Sequence, residues 1–347
     1  MFKVNDWHFK KSTPHGMIAF QKIDTAIQLI LFEAEKLGIK WKIVDETDVI
    51  ELTYKNETKY FRNRAPSTTH IPAAKICENK VSTKAFLKRN YVSVTNGFVI
   101  HASDNENLKK EIWESLVKPV VIKPTHGTHG DNVSVDITSY DEYLNIISSY
   151  FYKPRYEGGL LIEEMFVGSE YRIMATSSKV IAVLERVPAS VVGDGTHSIS
   201  ELITIKNSDP FRNISPDVYP HIEIDDDIRQ NISEQHKDIN SPLIKGEKIF
   251  LRKVSNVMAG GDTVDRTDQV HESVKNIAVN VIQSIPGLSW GGIDFLSKNI
   301  FQLQDSDSYR IIEVNSAPEF DMHYFPMEGQ PRPVALEFLK LMFPEIN

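Results

Sequence analysis

A chain of 347 residues with 41% apolar and 25% charged side chains is ordinary for a globular protein and long enough for two or three subdomains. Its net charge of −8 gives no general attraction to nucleic acid or anionic membranes, and no run of about 20 apolar residues exists to span a bilayer. One cysteine, Cys77, rules out an internal disulfide; with no apolar signal-like stretch in MFKVNDWHFKK, a cytoplasmic location is expected. Cys77 lies in the apolar stretch PAAKIC and reads as an inert structural thiol.

In chain order, Thr25 to Leu37 has helical periodicity, with Gly38 as a C-cap. WKIVD then reads as a strand, and IELTYKNETKYFR as a hairpin around Asn56, giving an N-terminal α/β domain over 1–75. Lys80 to Arg89 and Asn105 to Leu116 read as helices. VVIK and NVSVDI flank a glycine-bearing loop as strands. Asp141 to Tyr152 is a helix with Ser139 as N-cap, and LLIEEMF is a strand. These make a small α+β unit over 76–168.

From 169 to 347, YRIMATSSKVIAVLERV is a hairpin and KIFLRKV a strand. His271 to Ile285 is a helix, LSWGGIDFL and YRIIEVN are strands, and PVALEFLKLMF is a C-terminal helix. The acidic stretch Asp225 to Ile239 is expected outside the core. The alternation of elements predicts an α/β (α+β) architecture.

Four clusters carry candidate chemistry. In VVIKPTHGTHGDNVSV, Lys123 ends an apolar strand before a loop with Gly127 and Gly130. No Walker A string is present, yet an ammonium beside a small-residue loop can clamp phosphates. The same loop holds His126 and His129, an H-x2-H pair that would need further ligands to bind zinc. Asp294, Glu313 and Asn315 form the second cluster. Positions 313 and 315 share a strand face, and Asp294 joins them if the two strands are neighbours, which would suit Mg2+. In LIEEMFVGSEYR the strand ends at Glu163 and Glu164, crosses through Met165, and restarts at Glu170, where backbone groups could meet a purine edge and a carboxylate a ribose. In LRKVSNVMAGGD, Arg252, Ser255, Asn256, Gly260 and Gly261 could bind a carboxylate or oxyanion; Gly–Gly equally suits a tight turn.

Taken in this order, the motifs resemble the ATP-grasp superfamily. VPASVVGDGTHSISELI, NSDPFR, FLRKVSNVMAGGDTVDRTDQVHES, GGIDF and IIEVNSAP are similar to the ATP-grasp half of bifunctional glutathione synthases and to the ATP-grasp part of cyanophycin synthetases. The resemblance covers roughly 76–347, and 347 residues are too few to hold a glutamate–cysteine ligase half as well. It implies an ATP-grasp fold with a pre-ATP-grasp-like N-terminal domain, a lid subdomain and a C-terminal subdomain with the metal site. It implies an ATP-dependent carboxylate–amine ligase, glutathione-synthetase-like, with ligation in a specialised peptide or polymer pathway and a non-catalytic ATP-binding module as alternatives.

The same resemblance assigns ATP phosphates to Lys80 and Lys123, closure over them to the loop from His126 through Gly127 to Gly130, adenine to the 163–165 backbone with Glu164 beside it, and ribose to Glu170. Magnesium, as two ions that Mn2+ could replace, falls to Asp294, Glu313 and Asn315. The acceptor carboxylate or acyl phosphate falls to Arg252 and the Ser255–Gly261 loop with Asn256 and Gly260, with Arg172 and Arg186 as further contacts. Partners implied are a small carboxylate and an amine, without nucleic acid or membrane and with a homodimer possible. Three departures stand out, and the last two bear on the substrate. D-alanine ligases carry an arginine where this chain has Gly292, and the resemblance offers Arg252 for that charge instead; Pro318–Glu319 replaces a proline–glycine, and Asn213 a glycine.

Overall fold

A computed structural model describes residues 24–45, 47–127, 132–152, 158–213 and 218–346. Helix α1 (Thr25–Lys36) starts at Asp24, whose carboxylate accepts from the Ile27 N–H at 2.8 Å, and it ends before Gly38 in the left-handed region. A meander of β1 (Lys40–Ile43), β2 (Val49–Tyr54) and β3 (Glu57–Arg62) follows, as the alternating pattern predicts. Two short helices come next, α2 (Ile71–Glu78) and α3 (Lys80–Arg89). The first is absent from the sequence reading because PAAKIC is too short to show a period.

A four-stranded sheet of order β4-β7-β5-β6 is built from β4 (Gly97–Ile100), β5 (Val120–Pro124), β6 (Ser134–Ile137) and β7 (Leu160–Glu164). Helices α4 (Glu106–Ser115) and α5 (Tyr140–Phe151) contribute Ile112, Tyr143, Ile147 and Tyr150 to the core it shares with Val120, Ile122 and Ile162. A five-stranded antiparallel sheet has the order β12-β9-β8-β13-β14: β8 (Ser169–Thr176), β9 (Val180–Val187), β12 (Asp262–Asp265), β13 (Trp290–Ser297) and β14 (Tyr309–Asn315).

Side-chain alternation gives that sheet two unlike faces. Tyr171, Ile173, Val183, Ile293 and Ile311 pack under helix α8 (Glu272–Gln283). The other face is apolar at one end, where Met174, Leu184 and Trp290 join α1, the three-stranded meander and the C-terminal helix α9 (Val334–Met342) in one core. At its other end the same face carries charge.

Between β9 and β12 the chain forms a small unit: β10 (Ser190–Val192) paired with β11 (Lys248–Phe250), and helices α6 (Ile199–Asn207) and α7 (Asp226–Glu234). Helix α6, unread in the sequence, opens with a capping box between Ser198 and Glu201. The acidic stretch from Asp225 to Ile239 is a correction. It lies within this unit, burying Ile228, Ile232 and Ile239 with Leu202 and Leu243 while its acids face outward. No helix among the described residues is long and apolar enough to cross a membrane.

Candidate active site

Strand pairing assembles the acidic group. β13 and β14 are antiparallel neighbours with Asp294 opposite Glu313 and Gly292 opposite Asn315, while on the other side Asp294 stands opposite Arg172 of β8. Asp294, Glu313, Asn315 and Arg172 therefore meet on one face. The Asn315 amide is satisfied with its nitrogen donating to Glu313 Oε1 (3.1 Å) and its oxygen accepting from Arg172 Nη1 (3.0 Å). Asp294 Oδ1 is 3.1 Å from Arg172 Nε and 3.6 Å from Arg186 Nη1, near enough for charge attraction. It nonetheless has no aligned hydrogen-bond donor and is buried. A buried carboxylate oxygen without a donor fits a hard cation, and two carboxylates with an amide oxygen are a donor set suited to Mg2+. Among the described residues no group of three or more His, Cys, Asp and Glu could hold a metal, so His126 has no such partners; His129 and Gly130 lie outside those residues.

Lysines face this group from the four-stranded sheet and α3. The Asn79 side chain caps α3 by accepting from the Val81 and Ser82 N–H groups, which sets Lys80 at its first position. Lys80 Nζ donates to the Gly127 carbonyl at 2.9 Å and lies 3.3 Å from Glu313 Oε2, tying the glycine loop to the acidic group. Lys123 is 4% exposed, with its ammonium 2.6 Å from Glu163 Oε2. Burial pushes Lys123 down to about 8, against the pull of Glu313. Lys84 is also buried and touches Glu163 and the Thr95 hydroxyl, which donates to Glu163 at 2.8 Å. His126 is exposed, with a ring nitrogen 3.1 Å from Asn79 Nδ2.

The crossover has less free backbone than its sequence suggests. Glu163 is paired inside the sheet, opposite Gly97 and Val121, and its carboxylate is spent on lysines. The Glu164 N–H donates to Asn96, and the Met165 N–H to the Pro119 carbonyl at 2.9 Å, so neither donor is open to a ligand. Glu164 Oε1 accepts from the Val117 N–H. Glu170 accepts from Arg186 at 2.9 Å and from the Ser255 hydroxyl, joining the Ser255–Gly261 loop to β8.

That loop is shaped by groups the sequence reading left out. Asn256 caps it by accepting from the Met258 N–H, and its carbonyl accepts from Gly261. Gly260 has φ +89, which favours glycine. Arg212, quoted within NSDPFR but given no role, has a fully buried side chain. It donates to the Gly260 carbonyl at 3.0 Å and to Asp262 at 2.6 Å. Arg252 is held by the Asp225 carboxylate (2.5 Å) and the Ala259 carbonyl (3.1 Å). The side chain lying against Gly292 is instead Arg172. The site thus brings together Lys80, Lys123, Glu170, Arg172, Arg186, Ser255, Asp294, Glu313 and Asn315, with Arg252 turned toward the acids of α7.

Over 91% of its length the chain is 35% identical to a cyanophycin synthetase of Trichormus variabilis (strain ATCC 29413 / PCC 7937), spanning 35% of that protein. It is 30% identical over 96% of its length to a glutathione biosynthesis bifunctional protein of Enterococcus faecalis (strain ATCC 700802 / V583), spanning 44% of it. The crystal structure of a bifunctional glutathione synthetase from Pasteurella multocida superposes with a TM-score of 0.72 at 30% identity, over 94% of this chain and 44% of that one. The chain has the ATP-grasp fold. It spans less than half the length of these relatives, and no family model matches it. The chain thus carries Arg172, Arg186, Asp294, Glu313 and Asn315 on one sheet face, with Lys80 of α3 against Glu313.

Proposed function

We propose that this chain is an ATP-dependent carboxylate–amine ligase acting through an acyl phosphate. One observation carries the reading: Lys80, at the start of α3, touches both the glycine loop and Glu313, so a phosphate-binding candidate and a metal-binding candidate meet. An ammonium set against two carboxylates and an amide suits a nucleoside triphosphate with its cation.

Asp294, Glu313 and Asn315 would hold Mg2+, which supplies charge neutralisation for the phosphate oxygens. Lys80 and Lys123 would hold phosphates from the opposite side, and Glu170 a ribose hydroxyl. A substrate carboxylate oxygen attacks the γ-phosphorus while the bond to the β-phosphate oxygen breaks, releasing ADP. The amine nitrogen then attacks the acyl carbon, the carbon–oxygen bond to phosphate breaks, and the amine gives up a proton as the amide forms. Arg172 and Arg186 stand where they can hold the anionic oxygens in both steps, and no protein nucleophile is needed. The loop from His126 onward would exclude water that could hydrolyse the intermediate.

Two substrate readings follow from the relatives. A γ-glutamyl dipeptide with glycine is the glutathione-type pair, and an amino acid joined to a growing peptide is the polymer-type pair. The glutathione-type pair is the first reading; Glu319, where the resembling families commonly carry glycine, lies next to the Pro318 that packs on Gly292 and marks a position where the choice of substrate is read. The chain is expected to work in the cytoplasm. Incubation with Mg-ATP and a panel of carboxylates and amines, γ-glutamylcysteine plus glycine included, tests the reading. Substrate-dependent ADP and an amide product are expected with one pair. ADP formation that no pair stimulates would favour a nucleotide-binding module.

A further inference from the structure

Helix α3 carries Lys80 and Lys84 four residues apart, so both ammoniums leave the same side of the helix. Lys80 meets Gly127 and Glu313. Lys84 goes elsewhere. It touches Glu163 Oε1 and donates to the Thr95 hydroxyl, which in turn donates to Glu163 Oε1 at 2.8 Å. The other carboxylate oxygen, Oε2, lies 2.6 Å from the Lys123 ammonium. Glu163 therefore stands between two lysines, one from α3 and one from β5, each on its own oxygen. Glycine opposite Glu163 on β4 leaves room for this, because a Cβ on residue 97 would lie 2.8 Å from Glu163 Cγ.

The side chains of Lys84, Glu163 and Lys123 are 8%, 2% and 5% exposed. Two positive charges thus face one negative charge in a dry cluster. A buried ion pair adds little to stability for its own sake, and an excess buried charge is costly unless an anion lies against it. Burial, then the like charge of Lys123, pushes the Lys84 ammonium well below its ordinary value, and the carboxylate against it opposes that push. The further charges acting on Lys123 are Lys80, Glu313, Asp294 and Glu170. Without Lys84, Glu163 and Lys123 would be a neutral pair with little pull on an anion.

We propose that Lys84 is a positioning residue for nucleotide binding: it cancels the charge of Glu163 from one carboxylate oxygen, so that Lys123 is held on the other oxygen and still presents a net positive charge to a phosphate. Lys84 itself touches no ligand; it acts through Glu163 on Lys123. This rests on the ligase reading above.

Calorimetry with Mg-ATP tests it. Binding at pH 7 should be about 10-fold weaker in Lys84→Met. Adding Glu163→Gln to that variant should recover most of the loss, because the charge that Lys84 cancels is then gone, whereas a purely structural lysine would give two losses that add. The pH dependence should move as well. With a like charge removed, affinity in Lys84→Met should hold to higher pH than in wild type, where it falls past about 8. In wild-type protein with 13C-labelled lysine, Mg-ATP should shift the Lys84 signal together with that of Lys123, a readout that needs no variant to fold. Equal affinity in wild type and Lys84→Met, no recovery in the double variant, or a Lys84 signal unmoved at saturating Mg-ATP would each overturn the assignment and leave the ligase reading standing. No Mg-ATP binding by wild type would overturn both.

Discussion

Arg172 and Gly292 occupy one space: a Cβ on residue 292 would lie 2.7 Å from Arg172 Nη1 and equally close to Pro318 Cβ. Glycine at this position lets the guanidinium cross β13 toward Asp294 and Asn315. Gly292→Ala should displace Arg172 and lower kcat/KM about 100-fold, because a misplaced charge of about 1 Å has that effect. Stability should fall by roughly 1–3 kcal/mol, since Arg172 can yield while the Pro318 ring has to shift with its backbone. Steady-state kinetics with a melting curve on the same sample checks both.

The ammonium of Lys123, pushed by burial from 10.5 to about 8, predicts a pH limit on nucleotide binding. Below about 8 the side chain is charged and available to phosphate; above it the charge is lost. The KM for ATP measured from pH 7 to 10 should therefore hold and then rise past pH 8. In Lys123→Arg, which stays charged, the rise should vanish, whereas a rise that persists would assign it to another group.

Asp321 gives a stability prediction of opposite sense to an ordinary surface acid. Burial, with Glu319 nearby, raises it from 3.8 to about 7. The folded chain then binds more protons than the unfolded chain between those values, so stability falls as pH rises through that window and the loss is complete above pH 7. Asp321→Asn should raise stability at pH 8 by about 3 kcal/mol and leave pH 4 nearly unaltered. Thermal melts across that pH range decide it.

Much of the site could be read from the sequence, and the limits have physical causes. Glu313 and Asn315 fall on one face by the period-two rule alone, and Asp294 needs only strand adjacency, which the β13–β14 pairing supplies. Lys123 is legible from its strand and glycine loop and Lys80 only from the motif resemblance; Lys80 touches Glu313 and Lys123 pairs with Glu163. Arg172 against Gly292 depends on a contact across two strands that no local pattern encodes. The helix Asp226–Glu234 was hidden because two isoleucines at i,i+4 are outnumbered by acids, and burial of one narrow stripe needs no more. Lys84 and Thr95, which complete the buried pairing of Glu163, carry no signal beyond ordinary helix and loop composition.

The most direct test of the ligase account follows one oxygen. Each carboxylate in the panel would be labelled with 18O and incubated with Mg-ATP and amines, reading ADP, product mass and the label in phosphate together. The account predicts an amide product, one ADP per amide, and one 18O carried from the carboxylate into each phosphate. Amide formation with unlabelled phosphate, or the absence of amide with every pair, would contradict it.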